Sequence, residues 1–324
     1  MKHVLPFALD VPSISYHNKA FPLGVMKANL KNFDYWICNK LIQCVYEPVH
    51  DRYNLFDEDI WSSRENITAT QSFHVFPEIF QYSSFDILGI VKDMLNHGYY
   101  VGGLNNEKYV RSKSAYQKYD HIHDYIVFGY DDEKGTLYSA GYVANQKYEY
   151  FDLYYNDYID SLKHFCSDRM AIFFHKIDRN IETSIKIEEI KRKVEDYLIS
   201  TKCNKTAPAA NLYGISVWRK LASQLANFTD NNDYLDIRAS RAMLEHKTIM
   251  RDRIRLLYDM NFIPNAGNEY EKAVVRPSSV IYALCLKYNL TKRKELLHRV
   301  SEIIERICLD EERILEELFL NTAI

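Results

Sequence analysis

The spacing of apolar residues changes along the chain and separates a mixed region from a helical one. Before about residue 177, an amphipathic helix is predicted at 83–98, among short apolar runs typical of buried strands. From Ile185 onward, apolar residues recur every three or four positions, which is the spacing of amphipathic helices. The pattern therefore predicts the α+β class, with an α+β domain over 1–177 that carries an antiparallel sheet, followed by an all-helical bundle domain over 178–324.

A β-hairpin is the clearest local prediction within the first domain. The runs 123–130 and 135–142 flank the acidic turn DDEK and are predicted to be the two strands of a hairpin. A turn centred on the segment DEKG pairs Asp131 near Thr136.

The same register predicts which residues lie opposite His123. Antiparallel pairing places it opposite residues 142–145, where Tyr142 and Asn145 carry polar side chains. An imidazole that faces an amide is the arrangement of a catalytic base and the group that orients it. His123 is thus a candidate base, Asn145 a candidate orienting residue and Tyr142 a candidate substrate contact. The alternative is that His123 is a solvated polar residue at the end of a strand.

Composition narrows the function classes. The 324 residues are 47% hydrophobic and 26% charged with a net charge of −3, which is typical of a soluble globular protein without a basic stripe for nucleic acid. The six cysteines are scattered without a CxxC pair, which predicts neither a disulfide framework nor a metal site and suits a reducing cytoplasm. With only ten glycines and no GxGxxG motif, the sequence does not predict a glycine-rich loop for the phosphates of a nucleotide cofactor. No cofactor of any kind is predicted.

Neither a signal peptide nor a membrane span is predicted. The apolar run within 1–13 is too short for a signal peptide. No segment approaches the roughly 20 apolar residues that cross a bilayer. We therefore expect a cytoplasmic protein with no membrane partner, and the sequence leaves homo-oligomerisation open.

The segment 98–142 resembles the N-terminal domain family of butirosin biosynthesis protein H. Its features are GYYVGGL, a tyrosine-rich spacer, a histidine before an apolar strand, GYDDE and a return strand. The helical segments NLYGISVWRKL and DIRASRAMLEHKTIMRDRI are similar to the longer members. The resemblance implies a papain-like fold and transfer of an acyl group from an acyl or peptidyl carrier protein to a small-molecule amine, in peptide or polyketide natural-product biosynthesis.

The resemblance also implies a triad of cysteine, histidine and aspartate. His123 matches the histidine. The aspartate would follow the return strand, near Ala140, where this chain has no acid. Asn145 or Tyr142 would have to serve instead.

The nucleophile is the larger departure from that family pattern. The family's cysteine opens the first helix, where the helix dipole lowers the pKa of a thiol. The corresponding segment 10–36 contains no cysteine. Ser13 and Ser15 are available there, and Ser15 lies just before the predicted helix start, although an N-cap role is the more common one for such a serine. Cys38 is the nearest thiol, with burial in the core as its alternative reading.

Two functions of different classes follow. The first is an acyltransferase or amide-bond-forming enzyme that acts on a carrier-protein thioester, with His123 as base and Ser15 or Cys38 as nucleophile. The second is a catalytically inactive papain-like scaffold or binding partner in a biosynthetic assembly. The histidine, strand and turn favour the first, whereas the missing cysteine and acid favour the second. A peptidase is a weaker third hypothesis.

Overall fold

The computed structural model of the chain describes residues 1–56, 67–75, 79, 85–165, 170–178, 183–202, 208–229 and 234–321. The strands within these residues are β1 Lys2–Val4, β2 Gln43–Glu47, β3 Arg52–Phe56, β4 Ile67–Val75, β5 Tyr100–Asn106, β6 Ile122–Asp131, β7 Thr136–Tyr142, β8 Tyr148–Tyr154, β9 Met170–Ile177 and β10 Leu212–Tyr213. The α-helices are α1 His17–Asn29, α2 Phe33–Cys38, α3 Ile87–Asn96, α4 Tyr155–Lys163, α5 Ile187–Leu198, α6 Ser216–Ala226, α7 Arg238–Asp259, α8 Gly267–Tyr270, α9 Arg276–Thr291 and α10 Glu295–Phe319.

The predicted α+β class is confirmed. Antiparallel strands dominate the first half of the chain and helices the second half. The chain forms two compact units: the first contains 1–31 and 58–182, the second 32–57 and 183–324. This division differs from a cut near residue 177 in one respect, because residues 32–57 belong to the second unit.

The first unit is built on an antiparallel sheet with the strand order β4-β9-β5-β6-β7-β8, and β1 pairs with β6 at its far end. The predicted hairpin is formed by β6 and β7, and Asp131 pairs with Thr136 as expected. The first half of β6 pairs with β5, in the register Asn105–His123 and Asn106–Ile122. This pairing places the last residues of β5 beside the first residues of β6, at one end of the two strands.

The predicted helix at 83–98 is α3, over a shorter range. It begins at Ile87 because the Asp86 carboxylate accepts a hydrogen bond from the Gly89 N–H. Gly98 follows the C-cap with φ +83°, the left-handed conformation that glycine adopts without strain.

The second unit is mainly helical but also contains a small sheet. Strand β2 pairs with β3 on one side and with β10 on the other, where Leu212 faces Tyr46. The pairing of β2 with β10 joins residues 32–57 to the second unit rather than to the first. Within the described residues, no helix is both long and apolar enough to cross a membrane.

Candidate functional site

His123 lies at the second position of β6, opposite Asn105 of β5. Its Nδ1 atom is 3.3 Å from Glu107 Oε1, and its side chain is 35% exposed to solvent. No described residue forms a hydrogen bond with Nε2, which leaves that nitrogen for a ligand or water. His123 therefore has one ring nitrogen held by Glu107 and one without a described hydrogen-bond partner.

Glu107 is the centre of a cluster of basic side chains. It opens the 3₁₀ turn Glu107–Tyr109 directly after β5, and its side chain is 7% exposed. His121 Nδ1 is 2.8 Å from Oε2, and Lys113 Nζ is 3.1 Å from Oε1. Burial alone raises the pKa of Glu107, but the hydrogen bond from His123 and the charge of Lys113 outweigh burial and lower the pKa to about 2. Glu107 is therefore a carboxylate at neutral pH.

Asn106 explains why the chain holds Glu107 in place. This fully buried residue accepts hydrogen bonds from the N–H groups of Lys108 and His121 through its side-chain oxygen. Its amide group donates to Asp120 Oδ1 at 2.8 Å and to the His164 carbonyl at 2.9 Å. These four bonds tie the end of β5 to the segment before β6, so the carboxylate and both histidines have fixed relative positions.

Lys113 connects the cluster to the return strand. Its buried ammonium group donates to the Tyr142 carbonyl at 2.9 Å as well as pairing with Glu107. Burial lowers the pKa of Lys113, while Glu107 counteracts that effect. Gly141 makes the close approach possible: it has φ +150°, and a Cβ atom there would lie 3.2 Å from Lys113 Nζ.

His17 was not singled out from the sequence, and it occupies the start of the first helix. Its ring centroid is 4.5 Å from that of His123 and 5.6 Å from that of Tyr142. The Tyr142 N–H donates to its Nε2 at 3.4 Å. Burial, followed by the charges of His123 and Lys113, holds the pKa of His17 well below its ordinary value. The start of the first helix thus carries a neutral imidazole.

The two predicted nucleophiles belong to different units of the chain, Ser15 to the first and Cys38 to the second. Ser15 is buried two residues before α1, and the His17 ring of that helix lies 4.5 Å from the His123 ring. Cys38 ends α2 in the second unit, where it is buried and its carbonyl accepts a hydrogen bond from Arg253 Nε. Burial raises the pKa of the Cys38 thiol, which is the opposite of what a nucleophile needs.

The predicted orienting residues also lie apart from Nδ1 of His123. Asn145 is exposed in the turn between β7 and β8, where its side chain accepts from the Lys147 N–H at 2.9 Å. Tyr142 directs its hydroxyl to the Ile14 carbonyl, and its ring lies beside His17. The expected pairing fails because the last described pair between β6 and β7 is Val127–Ser139, and Asn145 lies beyond the end of β7. Glu107 orients His123 instead.

Tyr148 adds a polar group without a partner. Its ring centroid is 6.2 Å from His17 and 5.6 Å from Tyr142. The hydroxyl oxygen is buried, and among the described residues it has no hydrogen-bond partner. Burial also raises the pKa of Tyr148, so the hydroxyl keeps its proton and can donate to a bound molecule.

Among the side chains that the structure describes, no group of three or more His, Cys, Asp or Glu could hold a metal ion.

No protein-family model matches the chain, and no curated protein matches it either. The resemblance to the butirosin biosynthesis protein H family therefore stays a hypothesis.

Proposed function

We propose that the chain is an acyltransferase that forms an amide bond between a carrier-protein thioester and a small amine, with His123 as the general base. The observation that supports this proposal best is the pairing of His123 Nδ1 with the Glu107 carboxylate while Nε2 has no described partner. A base held on one side and open on the other is what proton abstraction from a bound amine requires. The identity of the thioester and amine comes from the family resemblance.

The charge of Glu107 decides the tautomer of His123. A carboxylate only accepts hydrogen bonds, so the proton of a neutral His123 ring lies on Nδ1 and the lone pair on Nε2. The 3.3 Å separation is longer than that of a working pair, which is common in sites without substrate. Glu107 would also stabilise the imidazolium that forms when His123 takes a proton.

The reaction then needs no covalent enzyme intermediate. The amine nitrogen attacks the thioester carbonyl, the C–N bond forms, and its proton moves to His123 Nε2. The C–S bond breaks, and His123 returns the proton to the departing thiolate. Direct attack fits a helix start that carries His17, since the ring beside His123 there is a buried imidazole rather than a thiol. The buried Tyr148 hydroxyl is a candidate hydrogen-bond donor to the substrate.

A catalytically inactive scaffold or binding partner is the second candidate, and one observation favours it. His17 is buried, and its Nε2 accepts from the backbone N–H of Tyr142, so the helix start has been filled by a group without nucleophilic access. A papain-like fold that lost its nucleophile would have this appearance.

Substitution of His123 distinguishes the two candidates. His123→Ala should lower acyl transfer from an acylated carrier protein to an amine by about 10²–10⁴-fold, which is the usual contribution of a general base. Glu107→Gln should also lower it, and the exposed His97, substituted as His97→Ala, is the matched control. Circular dichroism checks that the variants fold. If wild type and His123→Ala give the same product yield, the catalytic proposal is wrong and the scaffold takes its place.

Alkylation distinguishes direct attack from a thiol enzyme. The described cysteines are free and buried: Cys38, Cys44, Cys285 and Cys308. Burial raises the pKa of each, to about 11 in Cys285 and to about 12 in Cys308, which makes them unreactive at neutral pH. Iodoacetamide should therefore leave acyl transfer intact, and loss of activity with a single labelled cysteine would contradict direct attack. Cys166 and Cys203 lie outside the described residues, so mass spectrometry should assign each label. Free buried thiols also support the proposal of a cytoplasmic protein.

A further inference from the structure

A groove in the second unit is separate from the His123 site and takes no part in the proposed function. It has a volume of about 580 Å³ and lies between α10 and the segment that leads into α9. Its lining is amphipathic: Ala273, Val280 and Ile303 provide apolar surface, and Lys272, Arg276 and Arg306 provide positive charge. Small-molecule pockets typically have volumes of about 300–1,000 Å³, so the groove is large enough for one.

The backbone at this groove departs from regular helix. Residues Glu271–Val275 form a π-helical turn, in which the Arg276 N–H bonds to the Glu271 carbonyl five residues earlier. Pro277 has no N–H to donate to the Ala273 carbonyl, and its ring crowds that carbonyl, which explains the wider turn. Single π-turns inside helices occur frequently at functional sites. Here the turn brings Lys272, Ala273 and Arg276 to the groove.

The charges around the groove leave positive charge in excess. The Glu271 carboxylate is shared by Arg251 at 2.9 Å, Arg276 at 3.6 Å and Arg255 at 4.0 Å. The two acids of the lining have cationic partners, since Glu269 pairs with Arg313 and Asp310 with Arg306.

Lys272, in contrast, forms no ion pair with any described residue. A cation without a partner beside a shared carboxylate attracts an anion.

The apolar part of the lining is open to solvent. Val280 is 43% exposed, and Ile303 and Ala273 are half-buried. A purely ionic ligand would leave this surface uncovered, and a purely apolar one would leave Lys272 without a partner. The two requirements are met together by a molecule with an anionic head and an apolar tail.

We propose that this groove binds a small amphiphilic anion, a carboxylate or phosphate monoester with an apolar chain. Lys272 and Arg276 contact the anionic head through charge-assisted hydrogen bonds. The chain lies along Ala273, Val280 and Ile303. The site is independent of His123, and its occupancy does not require the proposed acyl transfer.

Titration calorimetry with monomeric decanoate, below its aggregation concentration, tests the proposal on the full chain. We expect one site per chain. The double variant Lys272→Gln with Arg276→Gln should weaken binding by about tenfold or more, the loss of a charged contact. Both side chains are exposed, so the fold should not depend on them. Arg192→Gln, at an exposed arginine of α5 that does not line the groove, is the matched control and should bind like wild type.

Further probes separate the chemistry of the head from that of the chain. Decanol and inorganic phosphate should each bind at least about tenfold more weakly than decanoate, because each lacks one of the two contacts. Ala273→Phe should block binding by filling the groove without changing its charge. Equal binding of phosphate and decanoate, or unchanged binding in the double variant, would overturn the proposal. So would binding to anionic phosphatidylglycerol vesicles without binding to monomeric decanoate, since the occupant would then be a membrane surface.

Discussion

Each of the two units buries a glutamate with a lysine partner, and the two pairs differ in what surrounds them. In the first unit, Glu107 pairs with Lys113 at 3.1 Å, and two histidines that keep 35% and 44% of their exposure complete its contacts. In the second unit, Glu311 and Lys247 are both 0% exposed and lie 2.5 Å apart. Tyrosine hydroxyls complete the contacts of Glu311: Tyr197 donates to one oxygen and Tyr270 to the other.

The difference teaches how to separate a candidate site from a structural network. An imidazole can both donate and accept a proton, and the two histidines beside Glu107 reach solvent. Burial raises the pKa of both Tyr197 and Tyr270, so they hold their protons, and the network offers no open position. Burial of a charged pair therefore has different meanings: in the first unit it marks a candidate site, whereas in the second it marks fixed packing.

The largest expected effect is on the stability of the buried network of Lys247, Glu311, Tyr197 and Tyr270, which we call the closed network. Lys247→Met removes the cation from a buried pair and leaves Glu311 without its charged partner, which typically costs about 3–5 kcal/mol in the free energy of unfolding. Denaturant titration should detect this through tryptophan fluorescence, since Trp36 and Trp218 both belong to the second unit and Lys247 Nζ lies 5.1 Å from the Trp218 ring.

Two further variants control that experiment. Lys287→Met removes an exposed lysine of α9 and should change stability by no more than about 0.5 kcal/mol. Adding Glu311→Gln to Lys247→Met removes the second charge and should restore part of the stability, because the uncompensated carboxylate is then gone. If Lys247→Met and Lys287→Met have equal stability, the closed network is not structural and the comparison fails.

The sequence predicted the fold class better than the site. Apolar periodicity indicated the mixed region and the helical region, and the acidic turn indicated the pairing of Asp131 with Thr136. The hairpin also placed His123 at the start of a strand, but it did not indicate Glu107, which follows β5 and belongs to neither strand of the hairpin. One signal was present: His121 and His123 share a strand face, and an antiparallel pairing of β5 with β6 sets residues 105–107 beside them.

Other features depended on details that periodicity does not contain. Pairing of β6 with β7 ends at Val127–Ser139, so counting onward from the turn misplaces Asn145 relative to His123. The pairing of β10 with β2 joins residues that are more than 160 positions apart, and no local pattern announces it. Its consequence is that residues 32–57, Cys38 among them, belong to the second unit.

The next largest effect is the pH dependence of stability at the cluster of Glu107, Lys113, His121 and His123, which we call the open cluster. The pKa of Glu107 is about 2 in the folded chain, below the ordinary 4.5, so its stabilisation is complete above pH 4.5 and is lost as the pH falls towards 2. The shift corresponds to about 3 kcal/mol. The stability difference between wild type and Glu107→Gln should therefore shrink over that pH range. Glu133→Gln, an exposed acid of the same unit, should show no such change. A difference that is constant from pH 5 to pH 2 would contradict the charged state assigned to Glu107.

A smaller effect is expected at Tyr142, which links the open cluster to the segment before α1. Tyr142→Phe removes the hydrogen bond from its hydroxyl to the Ile14 carbonyl and should cost about 1 kcal/mol in unfolding free energy. The ring remains beside His17, so acyl transfer should change little. A large loss of activity with unchanged stability would instead make the Tyr142 hydroxyl a substrate contact, as the sequence predicted.

The smallest effect is expected at Asn145, and it decides which residue orients His123. Asn145→Ala removes one hydrogen bond in an exposed turn, to the Lys147 N–H, and should change stability by no more than about 0.5 kcal/mol. Because Glu107 already holds Nδ1 of His123, acyl transfer by this variant should equal that of wild type, whereas Glu107→Gln should be impaired. Asn145→Asp retains the acceptor oxygen and serves as the control for the turn itself. The opposite outcome is that Asn145→Ala loses as much activity as Glu107→Gln while Asn145→Asp loses none. In that case residue 145 would orient His123. Glu107 would then be a structural carboxylate like Glu311, and the distinction between the two units would disappear.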